Sequence, residues 1–285
     1  MLLKPFDPWR NPLCTCPHKL TFNPYTGCDH KCTYCYATSY IPNFNKCRPK
    51  KDLLNRLEKE TPRLKGELIS IANSSDPYPT IEKNLNLTRQ CLKILSQCQC
   101  RVQIITKSDL VARDANILRR MNSVVAISIT TEDDDLAKQL EPKAPPPSKR
   151  MHAIERLTQE NVPVCVRIDP IIPFLNDNPR KLIKTLATLG VKHITSSSYK
   201  AKQDNWNRFR LAFPKTASKL APLYFKKGDA ISGYRYLPKK LRYTLMKNVK
   251  ELTELAGMTF GNCREGFAQL NTSSCDGAEY CGRRH

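Results

Sequence analysis

A chain of 285 residues with 47 Lys and Arg against 26 Asp and Glu carries a formal charge of +21, and it is long enough for one large α/β barrel or two smaller domains around a substantial core. Its apolar runs, such as 124–129 and 162–168, have strand length rather than membrane-spanning length, and residues 1–10 lack the apolar centre of a signal peptide, so a cytoplasmic protein with no membrane partner is expected. Thirteen cysteines, an odd number scattered through apparent strands, helices and loops, argue against a disulfide framework and for metal binding or reduced buried thiols, while the cationic excess points to a phosphate-bearing partner such as nucleic acid.

In chain order, residues 1–19 form a Pro-rich basic arm with Cys14-Thr15-Cys16-Pro17, suited to covering an open side of the core or contacting substrate. Residues 20–23 (LTFN) read as the first strand. The run that follows, NPYTGCDHKCTYCYA, sets Cys28, Cys32 and Cys35 at C-x3-C-x2-C, three thiolates in one short loop. A structural zinc site or an ordinary electron-transfer cluster takes four protein ligands. A triplet without an obvious fourth therefore suggests a metal centre left open for substrate or cofactor, whereas the same thiols with His30 or His18 would make a closed zinc site. Tyr34 and Tyr36 flank Cys35, where an aromatic ring can cover a metal centre and pack on a flat ligand; Tyr36 is the better placed.

Beyond this loop, short β-branched runs alternate with segments of helical period. Strands are expected at 67–73, 101–106, 123–130, 162–168 and 191–196, with helices at 87–96, 111–121, 147–160 and 179–189. The Pro-rich stretch from Glu141 reads as a loop, since a linker there would divide the strand series. With 20–23 the strands number six, which implies a parallel sheet with right-handed crossovers and fits a partial (β/α)6 TIM-like barrel. Chemistry in such barrels gathers where strands end, and polar residues do follow them: Ser75 and Asp76, Lys107, Ser128, and Arg167 near the fifth. The chain divides into the arm (1–19), the barrel core (20–200) and a helical, Cys-rich extension packed on the core (201–285). In that extension Cys263, Cys275 and Cys281 are spaced C-x11-C-x5-C among glycines. They resemble a metal-binding tail, for zinc or a second iron–sulfur cluster, with Cys14, Cys16, Cys47 or His285 as a fourth ligand; three ordinary thiols is the other reading.

Five motifs in one order carry a more specific likeness: the cysteine run from Asn23; Ser75-Asp76-Pro77-Tyr78 with Glu82 and Leu87-Thr88-Arg89; Thr106-Lys107-Ser108; Ser128-Ile129-Thr130 through Leu140-Glu141-Pro142 and Ala144-Pro145; and Pro170-Ile171-Ile172-Pro173 with Asn176-Asp177. Over roughly residues 23–197 the chain resembles the spore photoproduct lyase-related branch of the radical S-adenosylmethionine (SAM) superfamily. The resemblance implies a 4Fe–4S cluster held by Cys28, Cys32 and Cys35, with SAM chelating the fourth iron. It implies SAM contacts from Tyr36, from Ser75 and Asp76 near the amino-acid portion, from Lys107 and Ser128 at carboxylate or ribose, and from Arg167. It also implies a one-electron reductant such as flavodoxin or ferredoxin, and reductive cleavage of SAM to a 5′-deoxyadenosyl radical that abstracts hydrogen. A nucleic-acid base is the leading substrate; a protein, peptide or small metabolite is an alternative, as is a non-catalytic, zinc-dependent nucleic-acid-binding protein. The cysteine and tyrosines that return hydrogen in the lyase have no counterpart by motif. Cys165, in the fifth strand, would serve if it points inward and is otherwise a packed thiol like Cys91 and Cys98.

Overall fold

The computed structural model describes residues 1–6 and 11–282. In chain order its strands are Lys4–Pro5 (β1), Leu20–Phe22 (β2), Tyr25–Thr26 (β3), Arg48–Pro49 (β4), Leu68–Ile71 (β5), Arg101–Thr106 (β6), Asn122–Ser128 (β7), Val164–Ile171 (β8), His193–Ser198 (β9), Asp229–Ile231 (β10), Tyr234–Tyr236 (β11) and Thr259–Asn262 (β12). One sheet runs β1-β2-β5-β6-β7-β8-β9-β12, while β3 pairs with β4 and β10 with β11. Within the large sheet only the β1–β2 pairing is antiparallel. Its ends, β1 and β12, do not pair with each other, so the barrel is partial.

All six expected strands are present, and their β-branched runs follow from burial on both faces. On β7, Val125 and Ile127 pack in the main core with the outer helices, whereas Val124 and Ala126 meet Cys165 inside the barrel. Helices Leu87–Leu95, Pro147–Gln159 and Arg180–Thr188 fall where the apolar period places them. The helix expected over 111–121 is instead a 3-10 segment, Asp109–Asp114, followed by one turn, Ala115–Leu118. That tighter winding turns Arg113 and the buried Asp114 toward Glu82 and Arg89, with which they form a locked set of ion pairs. The strand series also continues past residue 196: β12, from the segment read as an extension, pairs in parallel with β9 from Thr259↔His193 to Asn262↔Ser196. Among the described residues no helix is long and apolar enough to cross a membrane.

Between β1 and β12 the arm lies against the segments that follow β12, Leu13 beside Gly266 and Cys16 beside Cys275. Following β12, residues 274–281 turn into the barrel interior. There Gln103 Nε2 donates to the Asp276 carbonyl at 2.8 Å, Thr195 Oγ1 donates to the Cys275 carbonyl at 3.1 Å, and Asp276 pairs with the buried Lys19. Gly277 makes this plug possible, because its φ is +71° and a Cβ there would lie 2.6 Å from Cys165 Sγ. Gly277→Ala is therefore expected to cost roughly 2–5 kcal/mol, left-handed backbone and overpacking together. Gly233→Ala, at φ +75° with nothing within 4 Å, should cost only about 1–2 kcal/mol. Urea denaturation of the two variants measures the difference.

Candidate functional site

A cavity of about 460 Å³ opens where the parallel strands end. Cys28, Cys32 and Cys35 line it together with Tyr36, Ser75, Asp76, Lys107, Ser128 and Arg167, so residues spread over 140 positions of sequence share one space. Cys14, Cys16, Lys19, Asp169, Lys200, Cys263 and Arg264 line it too.

The cysteine loop is fixed from several sides. Gly27, at φ +83°, leaves room that a Cβ would lose to the Phe44 carbonyl at 2.4 Å, and the Cys28 amide donates to that same carbonyl at 2.8 Å. The Thr33 amide donates to the Leu140 carbonyl at 2.8 Å. The Cys35 carbonyl accepts from Thr38 Oγ1 at 3.0 Å and from Arg208 Nη2 at 2.5 Å. Burial pushes all three thiols up, Cys32 to about 12. Thiols so disposed are poor acids and bases at neutral pH, and a soft metal that displaces their protons suits them. His30 does not complete a set with the three thiols: the ligand atoms that lie within 4.8 Å of one another belong to Cys28, Asp29 and His30.

Beside this loop stands a buried carboxylate. Glu141 pairs with Arg150 at 2.5 Å, accepts from Thr130 Oγ1 at 2.5 Å and accepts from the Tyr34 hydroxyl. Burial works against its charge, but Arg150, Lys107 and these hydrogen bonds hold it at about 2. The same environment governs Lys107. Burial would lower it, but Glu141 and Cys32 raise it above its ordinary value, so it stays an ammonium. Its Nζ lies 5.6 Å from the centre of the Tyr34 ring and donates no hydrogen bond among the described residues. It remains available to an anion.

The other expected residues divide between contact and support. Asp76 is a clamp: its carboxylate accepts from Thr106 Oγ1 and the Lys107 amide, both at 2.7 Å, and from the Tyr78 amide at 2.9 Å, fastening the loop after β5 to the end of β6. Ser75 Oγ donates to the Tyr25 carbonyl at 3.0 Å. Arg167 pairs with Asp169 at 2.7 Å. The Tyr36 ring lies 5.1 Å from the Arg264 guanidinium and edge-on to Tyr234 at 5.9 Å. Glu82 and Arg89, two of the motif residues, belong to the ion-pair set around Asp114 and lie outside the cavity lining.

Cys165 points inward but does not reach the cavity. It is fully buried beneath the Gly277 carbonyl, with Val124, Ala126 and Tyr280 around it, and burial pushes its thiol well up. Its place is that of a packed thiol. Cys263, Cys275 and Cys281 do not form one group either. Cys281 lies against the Val102 carbonyl at 3.6 Å, whereas Cys275 Sγ sits 3.5 Å from Cys16 Sγ. Cys47 is not part of the lining, and His285 lies outside the described residues. Lys19, Arg264 and the Glu141–Arg150 pair are site residues that composition and spacing did not single out for a role, although Glu141 stood within a recognised motif.

Residues 22–187 match the radical SAM superfamily. With more than half of its length so matched, the chain belongs to that superfamily. An uncharacterised protein of Methanocaldococcus jannaschii is 33% identical over 181 residues, covering 61% of this chain and 67% of the relative. An uncharacterised protein of Mycobacterium bovis is 25% identical over 258 residues, covering 83% and 74%. Among solved structures, spore photoproduct lyase complexed with dinucleoside spore photoproduct has the same fold at a TM-score of 0.61 and 16% identity, covering 81% of this chain and 71% of the lyase. SuiB of Streptococcus suis bound to S-adenosylmethionine aligns at a TM-score of 0.50 and 14% identity, covering 71% of this chain and 49% of SuiB.

Removing the buried carboxylate tests how the site is held. Glu141→Gln leaves Arg150 unpaired and should cost about 3–5 kcal/mol at neutral pH. Because Glu141 sits at about 2 against an ordinary 4.5, its contribution is present above pH ~4.5 and lost as pH falls toward 2, on the order of 3 kcal/mol. Denaturation of both proteins between pH 7 and pH 3 should show the gap closing.

Proposed function

We propose that this protein is a SAM-cleaving radical enzyme whose substrate is a nucleic-acid base. The observation that carries the reading is the meeting of three clustered thiols with the half-buried Lys107 ammonium on one cavity. The residues fit the implied groups: three thiolates supply three ligands, and a cation with a nearby hydroxyl suits a carboxylate. When bound, a reduced 4Fe–4S cluster supplies the electron that splits SAM and yields a 5′-deoxyadenosyl radical.

The rest falls to the chain. Cys28, Cys32 and Cys35 would hold the cluster, Lys107, charged through Glu141, would hold the SAM carboxylate with Ser128, and Tyr36, backed by Arg264, would cover the centre. Asp76 and Ser75 act by fixing the loops that present these groups. Holding the sulfonium in a single pose is the main service, since it confines cleavage to one bond. A flavodoxin- or ferredoxin-type reductant is the electron source.

Two features support a nucleic-acid substrate: the formal charge of +21 and a fold shared with spore photoproduct lyase, which was solved with a dinucleoside lesion. The fold is also shared with SuiB, solved bound to a precursor peptide, which makes a peptide the second reading.

In anaerobically reconstituted protein, Cys32→Ala should abolish both the SAM-sensitive iron signal and 5′-deoxyadenosine production. Lys107→Met should keep the cluster but weaken SAM binding about 10- to 100-fold, the worth of one charge-assisted hydrogen bond, as read by a SAM titration. Zinc in place of iron would overturn the catalytic reading. Nucleic-acid affinity should fall steeply between 50 and 200 mM salt, and irradiated DNA or tRNA should quicken SAM cleavage. A protein that SAM and reductant activate but no nucleic acid binds or stimulates would shift the substrate to peptide or metabolite.

A further inference from the structure

A second set of thiols converges in the structure, and it differs from the set that spacing alone suggests. Cys16 Sγ lies 3.5 Å from Cys275 Sγ. Cys14, two residues before Cys16, and Cys263, just past the end of β12, line the same cavity as Cys16. These four thiols come from the arm, the end of β12 and the plug, so only the packing of the arm against the segments that follow β12 unites them.

Backbone details hold them there. Gly261 lets the plug lie against β12, since a Cβ at that position would come within 2.6 Å of Cys275 Cα. Residues 261 and 263 share a face of the extended chain, and the Cys263 amide continues the ladder to the Ser196 carbonyl at 2.8 Å. Cys263 is thereby aimed beside Cys275. Cys14, Cys16 and Cys263 line the cavity, which gives a metal a route of entry, while Cys275 is buried behind them. Lys19 and Arg167 line the same cavity, where their positive charge offsets that of thiolates.

We propose that Cys14, Cys16, Cys263 and Cys275 bind a second iron–sulfur cluster in the same cavity. Four thiolates are the usual complement of such a cluster. A single zinc ion, with Zn–S near 2.3 Å, would draw its sulfurs to about 3.8 Å from one another. Cys16 and Cys275, 3.5 Å apart, have the spacing of two ligands on one metal atom, but among the described residues only Cys28, Asp29 and His30 form a group of three or more ligand atoms mutually within 4.8 Å, so the quartet as a whole is wider than one tetrahedral zinc would draw it. The site does not depend on the proposed SAM chemistry and is tested apart from it.

The test is anaerobic reconstitution of the full chain with iron and sulfide, followed by metal analysis and electron paramagnetic resonance. Wild type should hold about six to eight irons per chain, against about four for one cluster. The decisive variant is Cys28→Ala with Cys32→Ala and Cys35→Ala, which leaves the quartet untouched. It should retain about two to four irons and a reduced-cluster signal that SAM does not alter. Cys16→Ser with Cys275→Ser should lose that signal while keeping a SAM-sensitive one, and Cys281→Ser should change neither. Absence of iron from the first variant would overturn the proposal. So would one zinc per chain that disappears in Cys16→Ser, or oxidation of Cys16 and Cys275 to a disulfide without metal, seen by thiol titration.

Discussion

A carboxylate removed from water costs several kcal/mol unless cations and donors enclose it, and Glu141, 2% exposed, is enclosed by groups from four parts of the chain. Tyr34 comes from the cysteine loop, Thr130 from just beyond β7, Arg150 from the helix Pro147–Gln159, and Lys107 from the end of β6. Arg150 also donates from Nη1 to the Ser128 carbonyl at 2.9 Å and from Nε to the Pro145 carbonyl at 2.7 Å. Loop, strand end and helix are thus referred to one charge. The cavity keeps its shape because that charge must stay satisfied, and the same field keeps Lys107 protonated within reach of an anion.

The barrel has two unlike ends. Around the cavity, ion pairs and clamps orient side chains without using up every polar group. Beneath the cavity the interior is closed by chain rather than by layers of aliphatic side chains, and the Lys19–Asp276 pair lines the cavity side of that closure. A second buried set links the loop after β9 to the segment after β12: Glu265 pairs with Lys200 at 2.9 Å and with Arg242 at 3.0 Å. These pairs fasten the loop after β9, the helix Lys239–Leu255 and the segment after β12 to one another, just beyond the last rungs of the β9–β12 ladder.

The parts legible in the sequence were those whose signal is local. Parallel strands buried on both faces produce unbroken β-branched runs such as SVVAIS, and the cysteine triplet declares itself by spacing. The strand Thr259–Asn262 was not legible because TFGN is short, contains glycine and pairs with a strand 66 residues earlier. Spacing likewise grouped Cys281 with Cys263 and Cys275, whereas the neighbour Cys275 acquires is Cys16, 259 residues away, through packing of the arm against the segments that follow β12. Asp76 was legible as a site residue, but its work as a clamp was not, since that depends on where Thr106 and the Lys107 amide lie. Arg150 gave no signal at all. A basic residue in a Pro-rich stretch reads as surface, and only the position of Glu141 makes it internal.

The plug has a consequence for the order in which the molecule is made. Residues 275–281 leave the ribosome after every strand of the sheet, yet the carboxylate that pairs with Lys19 and the carbonyl that accepts from Gln103 Nε2 both belong to Asp276. Until then the nascent barrel carries a wet, polar lumen and an unsealed seam between its first and last strands. Final consolidation is consequently a post-barrel event built on contacts of very high sequence separation, the slowest kind to form.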